Sequence, residues 1–312
     1  MDRVATEEAT RLGWTRERDR GRRPAILAGA AALVTVVLWA SAFVGIRAAG
    51  EDLSPGPLAF GRLLIGSVIL GLIVLARREA LPRARDLPAI VVCGTLWFAV
   101  YNVALNAGER RVDAGTAAML VNVGPILIAL LAGVLLGEGF PRRLLLGCAV
   151  AFAGVAVIGL ATADASDSSS AGMLLCLLAA VAYAAGVVAQ KLVLGRVSAL
   201  QTTFLCCLVG TTACVPFAPS LMGELDVAPS ASIVWLVYLG ALPTALAFTA
   251  WAYALARSSA GRLAATTYLV PLLSILLAWA LLAETPPVLA LAGGALCLLG
   301  VAVSRLPAGR SR

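Results

Sequence analysis

Apolar residues fill this chain in runs of about 20, the length an α-helix needs to cross the roughly 30 Å hydrocarbon core of a bilayer. Spans are predicted at Ile26–Ile46, Leu58–Ala76, Leu87–Ala107, Ala114–Leu136 and Leu144–Ala161. After a polar break at Thr162–Ser170, further spans are predicted at Gly172–Leu192, Leu200–Pro216, Ser232–Ala256, Leu263–Ala283 and Val288–Val303. The pattern predicts an all-α integral membrane protein of about ten transmembrane helices, organised as residues 24–161, a linker 162–170 and residues 171–306. Residues 1–23 and 307–312 are polar tails, the first arginine-rich and expected to be flexible. Ala40-Ser41-Ala42 has the small residues of a leader-cleavage site, but the run before it exceeds the roughly 7 to 15 residues of a signal h-region and reads as a retained span.

The two sets of spans are copies. Ala114–Glu138 recurs without a gap at Ala260–Glu284, pairing Gly115 with Gly261, Pro125 with Pro271 and Glu138 with Glu284. Roughly two in five positions are identical, and the match runs on through Gly147/Gly293 to Gly154/Gly300. An odd number of spans per copy turns the second copy upside down in the membrane, which predicts two inverted five-helix repeats, the plan of many secondary transporters. Pro125 and Pro271 each remove a backbone donor and predict a kink. Asn122 and Tyr268 sit beside those kinks, placed either to mend the loosened backbone or to face a solute.

Loop charge supports the topology, because arginine and lysine accumulate on the cytoplasmic side. Arg77, Arg78, Arg83, Arg85, Arg142, Arg143, Lys191, Arg196, Arg257 and Arg262 fall on one predicted face, while Glu51, Asp52, Asp164, Asp167, Glu224 and Asp226 fall on the other. Both termini are then cytoplasmic, in an inner (plasma) membrane. Glu109-Arg110-Arg111-Val112-Asp113 breaks the rule and is expected to be a locally ion-paired connector outside.

Composition narrows the chemistry. The chain has 61% hydrophobic and 13% charged residues, a net charge of +7 and no histidine. Imidazole proton relays, Ser-His catalysis and histidine metal ligation are therefore excluded. The seven cysteines all lie within apolar runs and read as packing residues, so no metal site is expected. Neither a Walker loop nor a dinucleotide fingerprint occurs, so no cofactor is expected. No Asp or Glu falls centrally in a predicted span, so a carboxylate proton carrier is not indicated.

Polar and aromatic residues within spans mark candidate positions. Arg62 can either snorkel to the headgroups or enter a solute cavity. Trp39 and Arg47 match Tyr183 and Lys191 at equal spacing, which makes the two cations either gates for an anionic or zwitterionic solute or interfacial anchors. Trp97, Tyr101 and Asn102, aligned with Trp251 and Tyr253, suit a cavity that stacks and hydrogen-bonds a small organic molecule, and packing is the alternative. Asn106, Thr244 and Thr249 extend that set. Glu138 and Glu284 are expected near the positive end of the helix that follows each, with proton coupling as the other reading.

The proline-centred spans ending in Leu-Gly-Glu at Glu138 and Leu-Ala-Glu at Glu284, Trp-x-Ser-x-Phe at Trp39, Ser41 and Phe43, and Arg62 in the second span resemble the EamA family of the drug/metabolite transporter superfamily, over about Ile26–Leu306. The resemblance implies a permease, not an enzyme, that exports or exchanges metabolites, amino acids or drug-like compounds by alternating access through a cavity between the halves. Uptake by the same fold and a membrane-embedded lipid-modifying enzyme are the alternatives. The implied partners are a small-molecule solute and the lipid bilayer, with no nucleic acid, and a monomer is expected.

Overall fold

The computed structural model describes residues 2–111, 117, 120–162, 170–282 and 288–306. Among these residues the protein is helical, without strands. Long apolar sequences fold this way because a helix satisfies its own backbone donors and acceptors where no water can. Among the described residues five helices are long and apolar enough to cross a bilayer, and a sixth span arises if the bent pair Ala199–Ala213 and Val215–Leu225 is counted as one. The fourth predicted span lies partly outside the described residues.

The first helix, α1 (Asp2–Ala49), departs from expectation, since it runs on through the arginine-rich segment expected to be flexible. The chain continues through α2 (Pro55–Arg77), α3 (Leu87–Cys93), α4 (Tyr101–Glu109), α5 (Gly124–Leu135) and α6 (Arg142–Thr162). The second half contains α7 (Ser170–Val193), α8 (Ala199–Ala213), α9 (Ala218–Leu225), α10 (Ser230–Leu239), α11 (Ala247–Ala256), α12 (Ala260–Ala264), α13 (Leu269–Leu282) and α14 (Val288–Arg305).

Two seven-residue π-helical stretches, Gly94–Val100 and Gly240–Leu246, join α3 to α4 and α10 to α11. Matched to each other, the two stretches pair Gly94 with Gly240, the same offset that pairs Ala114 with Ala260 and one helical turn away from the alignment of Tyr101 with Trp251. Tyr101 stands opposite Ala247, and Leu105 opposite Trp251.

Close glycine contacts hold the helices together. A Cβ on Gly147 would meet the Gly300 carbonyl oxygen at 2.6 Å, and one on Gly154 would meet that of Gly293 at 2.6 Å. These contacts make α6 and α14 antiparallel neighbours. Small residues are what lets two helix backbones approach so closely. Gly66 packs on the Gly240 carbonyl, and Gly210 on that of Gly94, in the same exchanged manner. All seven cysteines are buried and unpaired.

The proline kinks take the form of breaks. Asn122 and Val123 form a turn before α5, which places Pro125 in the first turn of that helix. In the second copy, residues Ala265–Tyr268 form a 3-10 turn between α12 and α13. Thr266 and Thr267 there donate back to the carbonyls of Leu263 and Ala264.

Candidate functional site: a cavity in the helical bundle

A cavity opens among the helices, lined by aromatic rings with a few polar side chains, the make-up usual for small-molecule sites. Its walls come from α1 (Trp39, Phe43, Ile46), α2 (Arg62), the third span (Trp97, Tyr101, Asn102, Leu105), the break before α5 (Val121, Asn122, Pro125), Tyr183, Phe248 and the break before α13 (Thr267, Val270). On α1, α2, the third span and α5 these residues lie between the middle of the element and the end that carries Glu51, Asp52 and Glu224, called here the acidic face, while Tyr183, Phe248, Thr267 and Val270 lie at or just past mid-span. The opposite, arginine-rich face carries Arg77, Arg142, Lys191 and Arg257.

Aromatic rings build the deep wall. Trp39 meets Trp97, Phe248 and Trp251 at centroid distances of 6.0, 5.3 and 5.1 Å. Trp97 in turn meets Tyr183 at 5.3 Å and Phe248 at 5.0 Å. Edge-on and tilted pairs of this kind add about 0.5 to 1.5 kcal/mol each beyond area burial, so the wall is preorganised.

Arg62 is only 4% exposed and lines the cavity rather than reaching the headgroups, which removes the snorkelling alternative. Its Nε donates to Thr244 Oγ1 at 3.1 Å, and Thr244 donates to the Leu239 carbonyl. Asn102 lines the cavity and donates through Nδ2 to the Phe98 carbonyl at 2.7 Å.

Other sequence candidates lie elsewhere. Trp251 is fully buried behind Trp39 and does not line the cavity. Tyr268 is likewise 0% exposed and packs with Leu144, Cys148 and Val301, so the two residues beside the breaks differ: Asn122 lines the cavity and Tyr268 does not. Ser41 bonds to the Leu38 carbonyl and to Tyr238 Oη at 2.6 Å. Tyr253 stacks beneath the Arg257 guanidinium at 3.6 Å, on the arginine-rich face. Asn106 donates to the Pro55 carbonyl, and Thr249 to that of Ala245. Pro271 is buried in α13 and does not line the cavity.

The charged candidates separate by face. Lys191 Nζ donates to the carbonyls of Leu255 at 2.5 Å and Ser258 at 2.7 Å, at the C-terminal end of α11. A cation there meets the negative end of the helix dipole. Glu138 stands between Gly137 and Gly139, both at φ +68°, a left-handed backbone that glycine adopts without strain. This turn carries its carboxylate to the backbone N–H groups of Ala260 at 2.7 Å and Gly261 at 3.2 Å. The helix Glu138 caps is therefore α12, and not α6, which follows it in sequence. Arg47 is exposed, and Glu284 lies outside the described residues.

Sequence reasoning missed Phe248 in the wall, and it missed Glu109 and Gln190. Glu109 ends α4 with Oε1 buried and without a hydrogen-bond partner among the described residues, and Arg47 and Arg62 are the cations acting on it. In the connector, Arg110 donates to the Gly50 carbonyl and Arg111 to that of Ala107, while Val112 and Asp113 lie outside the described residues. Gln190 is fully buried with both amide atoms unpartnered among the described residues.

A family model described as the EamA-like transporter family matches residues 26–160 and 170–306. The chain belongs to this family. It is 40% identical over 283 residues to a probable terminal-alkyne amino-acid exporter of Streptantibioticus cattleyicolor, covering 90% of this chain and 95% of that protein. An uncharacterized transporter of Bacillus subtilis, YdfC, is 36% identical over 86% of this chain and 88% of its own length. A probable amino-acid metabolite efflux pump of Salmonella typhimurium is 26% identical over 88% of this chain and 94% of that protein. One crystal structure superposes with a TM-score of 0.74 at 22% identity, covering 91% of this chain and 99% of the other, a likeness of fold. Family, relatives and apolar helices together make this EamA-like protein a multi-pass membrane transporter.

Proposed function

We propose that this EamA-like protein is a secondary transporter that exports or exchanges a small amphipathic metabolite, an amino acid or a drug-like compound by alternating access. The observation that carries the reading is the one-sided cavity: its lining reaches from mid-bundle toward the acidic face, while Lys191 and Glu138 fasten the α11–α12 turn across the arginine-rich face. A site reachable from one side at a time is the physical requirement of alternating access.

The exchanged glycine contacts support an inverted ten-helix plan. Gly147 touches Gly300 as Gly293, the repeat partner of Gly147, touches Gly154, the partner of Gly300. Contacts in which i meets j′ and i′ meets j are the signature of a two-fold relation. By the positive-inside rule the arginine-rich face is cytoplasmic, which puts both termini inside and the cavity mouth outside.

The test compares metabolites in medium and cytosol of cells with and without the protein. Enrichment of a compound in the medium supports export, and enrichment in the cytosol would replace export by uptake. If neither pool changes, and reconstituted vesicles exchange none of the cellular solutes, the transport reading falls.

A further inference from the structure

Among the described residues Arg62 is the charged side chain in the cavity wall, and no carboxylate lines the wall with it. Thr244 takes one of its five N–H donors, and its two terminal nitrogens have neither a hydrogen-bond nor an ion-pair partner among the described residues. The anion acting on it is Glu109, to which no ion pair joins it. Burying a guanidinium without a direct partner is costly unless something completes its coordination. The planar fork of arginine fits a carboxylate in two parallel hydrogen bonds.

The backbone adds to the same potential. The breaks before α5 and α13 bring the N-terminal ends of two helices to the middle of the bundle, where Asn122, Pro125, Thr267 and Val270 line the cavity. The positive end of the dipole makes such termini favourable to anions. Deeper than Arg62, the wall is aromatic and uncharged: Trp39, Trp97, Tyr183 and Phe248. The cavity thus has a cationic head region and an apolar pocket.

We propose that the solute is a carboxylate with an apolar tail, its head held by Arg62 on the acidic-face side and its tail against Trp39, Trp97, Tyr183 and Phe248. This rests on the reading of the cavity as the transport site, and it commits to the carboxylate as the recognised group. A solute's ammonium group is not required.

Calorimetric titration of the full chain in lipid nanodiscs tests this with three probes that share one side chain: L-norleucine, N-acetyl-L-norleucine and L-norleucinamide. The first two keep the carboxylate and should bind, while the amide should bind at least about ten-fold more weakly, the equivalent of ~1.4 kcal/mol. Arg62→Gln should abolish the preference and Arg62→Lys should restore part of it. If Arg62→Gln does not fold, the comparison of acid and amide on the unaltered protein still decides. The proposal is overturned if the amide binds within about two-fold of norleucine, if only probes bearing an ammonium bind, if none binds at about 10 mM, where even a weak Kd near 1 mM would saturate, or if folded Arg62→Gln keeps the preference. Vesicles that exchange norleucinamide as fast as norleucine would show a transporter without this specificity, so the failure of the inference is separable from failure of the transport reading.

Discussion

The acidic and arginine-rich faces are built from matching parts, yet they are fastened differently. At the acidic face, Ser54 before α2 bonds the Glu224 carboxylate through its N–H, at 2.9 Å, and through its hydroxyl. At the arginine-rich face, Ser198, which precedes the corresponding helix α8, bonds the Glu79 carboxylate. Asp86 adds an ion pair with Arg196 at 2.6 Å on that side, and Ser232 bonds Asp52 at 2.5 Å on the other. These outer ties occur on both faces. Around the cavity the likeness ends: Lys191 is bonded to two carbonyls, while its repeat partner Arg47 is exposed. A scaffold fastened alike at both ends, with Lys191 bonded at one end and Arg47 exposed at the other, is what a rocking bundle needs in order to exchange which end is shut. The state of the protein then depends on few contacts, and each can be removed.

The largest effect should follow Lys191→Met. Two hydrogen bonds from a charged donor are lost, each worth about 1.5 to 3 kcal/mol, and the methionine keeps the apolar stem. With Ser258→Cys as reporter, labelling by a membrane-impermeant maleimide from the arginine-rich side should rise by about ten-fold or more, the factor that a shift of ~1.4 kcal/mol produces. Unchanged labelling would make Lys191 an interfacial anchor.

Much of this fold was readable from the chain because its signals are one-dimensional. Apolar runs and the recurrence of Pro125 at Pro271 mark helices and duplication without reference to packing. Which way a side chain faces is a different matter. In a wholly apolar helix no polar stripe identifies the cavity side, so Trp97 and Trp251 looked equivalent although one lines the cavity and the other is packed behind it. The alignment of Tyr101 with Trp251 was also a turn away from the one that matches the two π-helical stretches. Glu109 was hidden by its neighbours Arg110 and Arg111, which made it look like loop. A carboxylate at the C-terminal end of a helix opposes the dipole, and that misfit was the available signal that it serves something other than helix stability.

Glu138→Ala should have the next effect. It strips the acceptor from two first-turn N–H groups of α12, a loss comparable to an N-cap deletion of about 0.5 to 2 kcal/mol. Glu138→Gln keeps one side-chain oxygen and should lose less. In the Ser258→Cys background, maleimide labelling should rise in the order unaltered, Gln, Ala. If Gln and Ala behave alike, the charge matters and the hydrogen bonds do not.

Gln190→Met separates the two faces by the opposite sign. An unsatisfied buried amide costs about 1 to 3 kcal/mol, whereas an apolar side chain of similar shape at the same place does not. The substitution should therefore stabilise the shut arginine-rich face, slow labelling of the Ser258→Cys reporter and raise the thermal midpoint, by less than the full penalty because methionine must also be packed. Arg47→Gln, at the mouth that is open, removes an exposed cation and should change the midpoint by no more than the roughly 0.5 kcal/mol typical of surface substitutions. Its effect should appear only when the acidic face closes, where Glu109, one of whose oxygens has no hydrogen-bond partner among the described residues, stands ready to receive it. A slowed turnover with an unchanged midpoint would place Arg47 in the other state of the cycle. A large fall in the midpoint would instead show that the two faces are fastened more alike than their hydrogen bonds indicate.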